Sequence, residues 1–195
     1  MTPPAPTINL DLVGKRSAPL PHTYEWKDVV LYALSVGCKV DELDFLYEGR
    51  GPKVLPTFAV VPSFAAMVGV VADLGCNPMT ILHGEQEIVL HGPIPTHGTL
   101  STTSEVKAIY DKGKGALCVV ETKTTDAAGQ PVFDNLFSLF VRGAGGFGGE
   151  RGPEASKDAP PDRAPDFEYS ETTSAEQALL YRLNGDLNPL HADPS

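Results

Sequence analysis

The sequence predicts an α+β fold in which one strongly bent antiparallel sheet wraps a buried central helix. Three observations carry that expectation. The segment 64–74, FAAMVGVVADL, is apolar on nearly every side, the pattern of a helix buried all round rather than lying on a surface. Three β-rich runs come after it, at 99–110, 116–125 and 132–142, separated by turn residues. Residues 22–145, roughly 120 in number, match the size of one domain.

Taken in order, residues 1–21 carry five prolines and little periodicity, which reads as an irregular N-terminal arm. Ser63 is placed to cap the central helix, and Gly75 stands where a left-handed residue would end it. At ~1.5 Å per residue that helix is about 16 Å long, a length one curved sheet can wrap. Glu87–His91 reads as a strand ahead of the three runs. In Thr99–Tyr110 the residues Leu100, Thr102, Ser104, Val106, Ala108 and Tyr110 alternate onto one face, as in a half-buried strand. Asp111–Gly115 and the segment AAGQP supply turns, so three hairpin-connected strands close the domain. The expected architecture is a hot-dog. Residues 146–168 hold four glycines and four prolines with no Val, Ile, Leu or Met, and read as a linker. The C-terminal stretch 169–195 is too short to enclose a core of its own, so it is expected to open a second, incomplete domain lacking about a hundred residues.

Composition narrows the function. Of 195 residues, 42% are hydrophobic and 21% charged, enough apolar surface for a core and too little charge for a disordered chain. Fifteen Lys+Arg against 25 Asp+Glu give a net charge of -10, which opposes a polyanionic partner, and no dense basic cluster offsets it. Cys38, Cys76 and Cys118 lie far apart and form no C-x-x-C pair, so neither a disulfide framework nor a zinc site is expected. The N-terminal residues contain no apolar run for a signal peptide, and the longest apolar stretch, Phe64–Val71, is far too short for ~30 Å of hydrocarbon.

An internal repeat locates the chemistry. Leu31-Tyr32-Ala33-Leu34-Ser35 resembles Leu180-Tyr181-Arg182-Leu183-Asn184 at an offset of 149, which reads as the opening of two copies of one fold. In the second copy Ser174 and Gln177 have the spacing of a capping box, and Leu179, Leu180 and Leu183 cluster on one side of the helix it would start. Then comes Gly185-Asp186-Leu187-Asn188-Pro189-Leu190-His191. Asn188 before Pro189 suits a cap and first helical residue, which sets His191 near Asp186, with room for one water between them. The same offset puts Gly37 and Glu42 at the matching positions, so the first copy lacks the pair.

The stretch YRLNGDLNPLHADP, residues 181–194, closely resembles the signature of enoyl-CoA hydratase 2, the (R)-specific double hot-dog group among the MaoC-like dehydratases. TYEWKDVVLYALSVG, LDFLYEG, LPTFAVV, ILHGEQEIVLHGPIP and NLFSLFVRGAGGFGGERG resemble that family's N-terminal hot-dog, so the likeness runs from about 22 to 195 in order. It implies that Asp186 and His191 are the catalytic pair and that Asn188 supports them. It also implies hydration of trans-2-enoyl-CoA to (R)-3-hydroxyacyl-CoA in fatty-acid β-oxidation, without a cofactor because the coenzyme A thioester is the substrate. A homodimer is implied in the same way, in the cytoplasm of a bacterium or the peroxisome of a eukaryote. Asn184 departs from a position where Ser or Thr is commoner, and Ala192 from one where a larger apolar residue is usual. His83, in a segment that runs into a strand, is expected to be structural.

Blander readings stand beside these. Asp186 and His191 read without the likeness as a capping Asp and a surface His. Asp193 would add to them for a metal site, though no Cys or second His accompanies it. Residues 145–151, GGFGGER, could cradle a phosphate through backbone amides with Arg151 completing it, but no helix begins there and linker is the better reading. Coenzyme A would need local positive groups, Arg142 and Arg151 first, with Lys107 and Arg182 as others. The alternatives to hydration are a hot-dog acyl-CoA thioesterase and a non-catalytic acyl-CoA-binding half that works with a partner chain.

Overall fold

Residues 8–154 and 160–193 are described by the computed structural model; the start of the arm at 1–7, part of the linker at 155–159, and Pro194 and Ser195 lie outside the described residues. Five strands form one antiparallel sheet: β1 (Leu20–Tyr24), β2 (Ile81–Leu90), β3 (Gly98–Asp111), β4 (Gly115–Thr125) and β5 (Pro131–Arg142), in the order β1-β3-β4-β5-β2. The helices are α1 (Trp26–Ser35), α2 (Leu43–Leu46), α3 (Val60–Ala72) and α4 (Gln177–Arg182). The three consecutive hairpin strands are present as the turn residues predict. Asp126 Oδ1 accepts the Ala128 and Gln130 amides, and Gly129 takes φ +77°, which a side chain would resist.

Helix α3 lies against this sheet but differs from expectation at its start and on one face. It begins at Val60 rather than Phe64, because Pro56–Ala59 forms a 3-10 turn that leads directly into it. Ser63 is therefore no cap: it is buried in the first turn, where its hydroxyl meets the Ala59 and Val60 carbonyls. Met67 and Val70 face the sheet at 5% and 8% exposure, whereas Val68 is 43% exposed, so the helix is covered on one side and open on the other.

Strand β3 holds the second correction. Leu100, Thr102, Ser104 and Val106 point inward as predicted, but an irregularity between Val106 and Ala108 leaves Lys107 unpaired in the ladder. One extra residue reverses the faces, so Ile109 and Asp111 are buried instead of Ala108 and Tyr110. β2 is longer than Glu87–His91 and is shifted in register near Gly84. The N-terminal arm is more ordered than its prolines suggest: Ile8 and Leu12 enter the core, and Leu20–Pro21 already belong to β1, an edge strand where a proline costs no ladder bond.

The inner face of the sheet reads apolar, polar, apolar. One core gathers α3 residues Met67 and Val70, and Leu74 just beyond the helix, with Val106, Val120, Phe137 and Val141. A second gathers Tyr24, Val29, Tyr32 and Phe58 with Leu100 and Phe133. Between them runs a buried polar belt, in which Thr102 and Thr124 share a hydrogen bond of 2.9 Å and Asn135 Nδ2 donates to Ser63 Oγ and the Ala59 carbonyl. That belt ties the start of α3 to the sheet, and the start of α3 is where the candidate site lies.

Candidate active site

Residues beyond 168 return to the body of the molecule at the C-terminal end of α1. Lys39 and Glu171 form an ion pair there. α4 starts shortly after, with Glu176 at its N-cap; Ser174 contributes only its carbonyl to the Gln177 amide, so the expected capping box is not made. Leu179 and Leu183 face solvent. The side that packs is Tyr181, whose ring centroid is 6.4 Å from that of Tyr32. Burial pushes the Tyr181 phenol above its ordinary range, and Tyr32 and Asp186 nearby add to that.

The motif turn is built from local hydrogen bonds. Gly185 takes φ +115°, a conformation that turns the chain sharply after the helix. Asn188 Oδ1 accepts the Leu190 amide, Pro189 occupies the first position, and Pro189–His191 is one 3-10 turn, as the Asn-Pro dipeptide predicts. Asp186 Oδ1 accepts the Asn188 amide at 3.2 Å, which leaves Oδ2 3.4 Å from His191 Nε2. The pair is thus in direct contact, and a water must sit beside the two groups rather than between them. Asn188 shapes the turn that carries both. Asp186 shares a small cleft with Val60, Val61 and Phe64 of α3, together with Tyr181 and Asn184. On the other side His191 lines a cavity of about 370 Å³ with Ser35, Thr173, Ser174, Gln177 and Tyr181.

Two participants were not foreseen, Tyr181 and Ser35. Ser35 accepts a hydrogen bond from Asn184 Nδ2 at 2.9 Å. The signal was in the repeat: Tyr32 with Tyr181 and Ser35 with Asn184 are matched positions 149 apart, and each touches its own counterpart.

The basic candidates separate. Arg142 donates to the Met79 carbonyl at the end of β5, beside the first core, whereas Tyr181 packs on the second. Arg151 comes directly after Glu150, whose carbonyl accepts the Asp111 amide at the same far end. Lys107 pairs with Glu105 and Glu121. Arg182 belongs to the site's own helix, and its Nε is buried without a hydrogen-bond partner among the described residues. The glycine-rich stretch holds no phosphate cradle, because the Gly146 and Gly148 amides donate to the Asp111 carboxylate. The His83 ring lies 5.7 Å from that of Phe137 on the sheet. Among the described residues no three His, Cys, Asp or Glu side chains converge as metal ligands.

Residues 22–143 match the family described as the MFE-2 hydratase 2 N-terminal domain. The chain is 44% identical over 191 residues to a Dictyostelium discoideum protein named "Probable enoyl-CoA hydratase 2", covering 94% of this chain and 65% of that protein. It is 35% identical over 209 residues to the peroxisomal enoyl-CoA hydratase 2 of Arabidopsis thaliana, covering 96% and 68%. A solved MaoC-like dehydratase from Phytophthora capsici superposes with a TM-score of 0.80 at 32% identity, covering 96% of this chain and 68% of that one. The chain spans a little less than two-thirds of the length of the Dictyostelium relative. Sheet, central helix and this likeness along most of its length agree: the chain belongs to the enoyl-CoA hydratase 2 family of MaoC-like, hot-dog dehydratases.

Proposed function

We propose that the whole protein adds water to trans-2-enoyl-CoA to give (R)-3-hydroxyacyl-CoA in fatty-acid β-oxidation, with Asp186 and His191 handling the protons. The observation that carries this reading is the Asp186–His191 contact of 3.4 Å inside the motif turn, with His191 opening onto a cavity of about 370 Å³. Hydration needs a water aimed at C3, a proton delivered to C2, and a donor for the enolate oxygen. An imidazole has an intrinsic pKa near working pH, and a carboxylate in contact with it fixes its orientation or shares its proton. Such acid–base help contributes about 10²–10⁴-fold. A backbone donor to the enolate oxygen supplies a further factor of similar size.

In this reading α1 and α4 open two copies of one fold. The first copy, with Gly37 and Glu42 at the matched positions, supplies walls for the acyl chain and no proton transfer. Coenzyme A enters as substrate and no cofactor is needed; Arg182 is a better candidate for its anionic groups than Arg142 or Arg151. A homodimer, in a peroxisome or a bacterial cytoplasm according to the host, completes the proposal.

The test uses the full-length protein and crotonyl-CoA. Loss of enoyl absorbance without free thiol is expected, and thiol release would mean a thioesterase instead. Asp186→Asn and His191→Ala should each lower turnover at least ~10²-fold. Stability should change by no more than about 0.5–2 kcal/mol, because both side chains sit in a turn and cover little apolar surface. Retained turnover in either folded variant overturns the assignment.

A further inference from the structure

We propose that Asn184 is a positioning residue and Ser35 its anchor: the hydrogen bond between them fixes the motif turn on the body of the molecule so that Asp186 meets His191. The inference rests on the hydratase reading and names what holds its site together. Asn184 has two amide protons and uses both, one to Ser35 Oγ at 2.9 Å and one to the Tyr181 carbonyl at 3.0 Å. Ser35 is 2% exposed and donates its own proton to the Tyr32 carbonyl at 2.7 Å, so its lone pairs are left to accept from Asn184. The relay therefore runs in one direction, from the turn into the last residue of α1.

Among the described residues the hydrogen bonds of Asp186, Asn188, Leu190 and His191 are local to the turn, and Leu187 and Leu190 are 67% and 71% exposed, so these two leucines do little to hold it. Gly185, at positive φ, is a pivot between α4 and Asp186. A carboxylate carried on a glycine pivot keeps its aim only if the residue before the pivot is fixed, and Asn184 is that residue.

The experiment compares Ser35→Ala, Asn184→Ala and the double variant. In full-length protein with crotonyl-CoA, each should lower kcat at least tenfold with KM within about twofold, and the double variant should be no worse than either single one. In the 195-residue chain itself, amides of 185–191 should exchange with deuterium at least tenfold faster while those of β3–β5 keep their protection. Unchanged kcat and unchanged exchange in Ser35→Ala overturn the proposal. So does a KM shift at constant kcat, which would make Ser35 a substrate contact in the cavity it lines, or a double variant that multiplies the single effects. Faster exchange across β3–β5 as well also overturns it, since the role is then one of global stability. If the parent protein releases thiol or leaves crotonyl-CoA untouched, the hydratase reading fails, and the exchange data still decide whether the clip holds the turn.

Discussion

Asp111 shows how one carboxylate can organise a loop that composition alone marks as a linker. After the bulge at Lys107 its side chain points inward, 7% exposed, and accepts the Gly146 and Gly113 amides on Oδ1 and the Gly148 amide on Oδ2. Those backbone donors, Gly146 first, hold its carboxyl below the usual carboxylate range. A folded-state pKa below the unfolded value contributes stability that is complete above the unfolded value, about 3.9, and is lost as pH falls through the folded one. Asp111→Asn keeps one accepting oxygen and removes the charge. It should lower Tm near pH 7, and the gap from the parent should shrink as pH falls below about 4. Thermal unfolding across that range checks this, and a gap independent of pH would show that the charge is not what holds residues 146–148.

At the scale of elements, α3 separates a covered face from an open one within two consecutive residues. Met67→Ala removes a buried side chain from the first core and should cost about 2–5 kcal/mol, whereas Val68→Ala, on the open face, should stay within about 0.5 kcal/mol. Denaturant melts of the two variants test the distinction; equal losses would mean that the open face is packed in solution. The same helix shows where sequence stops being informative. FAAMVGVVADL is apolar all round, so its periodicity names no buried side, and the neighbours decide. The β3–β5 hairpins were legible because Gly, Pro and Asp mark their turns locally. The bulge at Lys107 carries no such mark, and β1 was hidden because a proline-rich segment becomes a strand only when β3 offers it an edge. In the candidate site, the turn that sets Asp186, Asn188 and His191 side by side could be read because it is made by residues within five positions, while the roles proposed for them come from the family likeness. Ser35 and Tyr32 could not, because they reach the site only through the packing of α1 on α4.

For the whole molecule, the residues that make the fold and the residues proposed to do the chemistry occupy different stretches of chain. Both buried cores are assembled from residues 8–144, and among the described residues of the C-terminal stretch the partly buried Tyr181 packs against the second. The contacts of 169–193 with the rest include the exposed Lys39–Glu171 pair, contributing about 0–1 kcal/mol, the Tyr32–Tyr181 ring contact, about 0.5–1.5, and the Ser35–Asn184 bond, about 0.5–1.5. Set against the ~5–15 kcal/mol of an ordinary domain, their loss leaves the fold standing. A chain ending at residue 160, which keeps the Asp111 loop, should therefore unfold in one cooperative transition with its sheet signal intact, at a Tm lower by about 5–10 °C. Circular dichroism and calorimetry read both quantities. Loss of cooperative folding would mean that α4 and the motif turn are structural members of the first domain, and that the tolerance expected of Asp186→Asn and His191→Ala rests on a wrong division of labour.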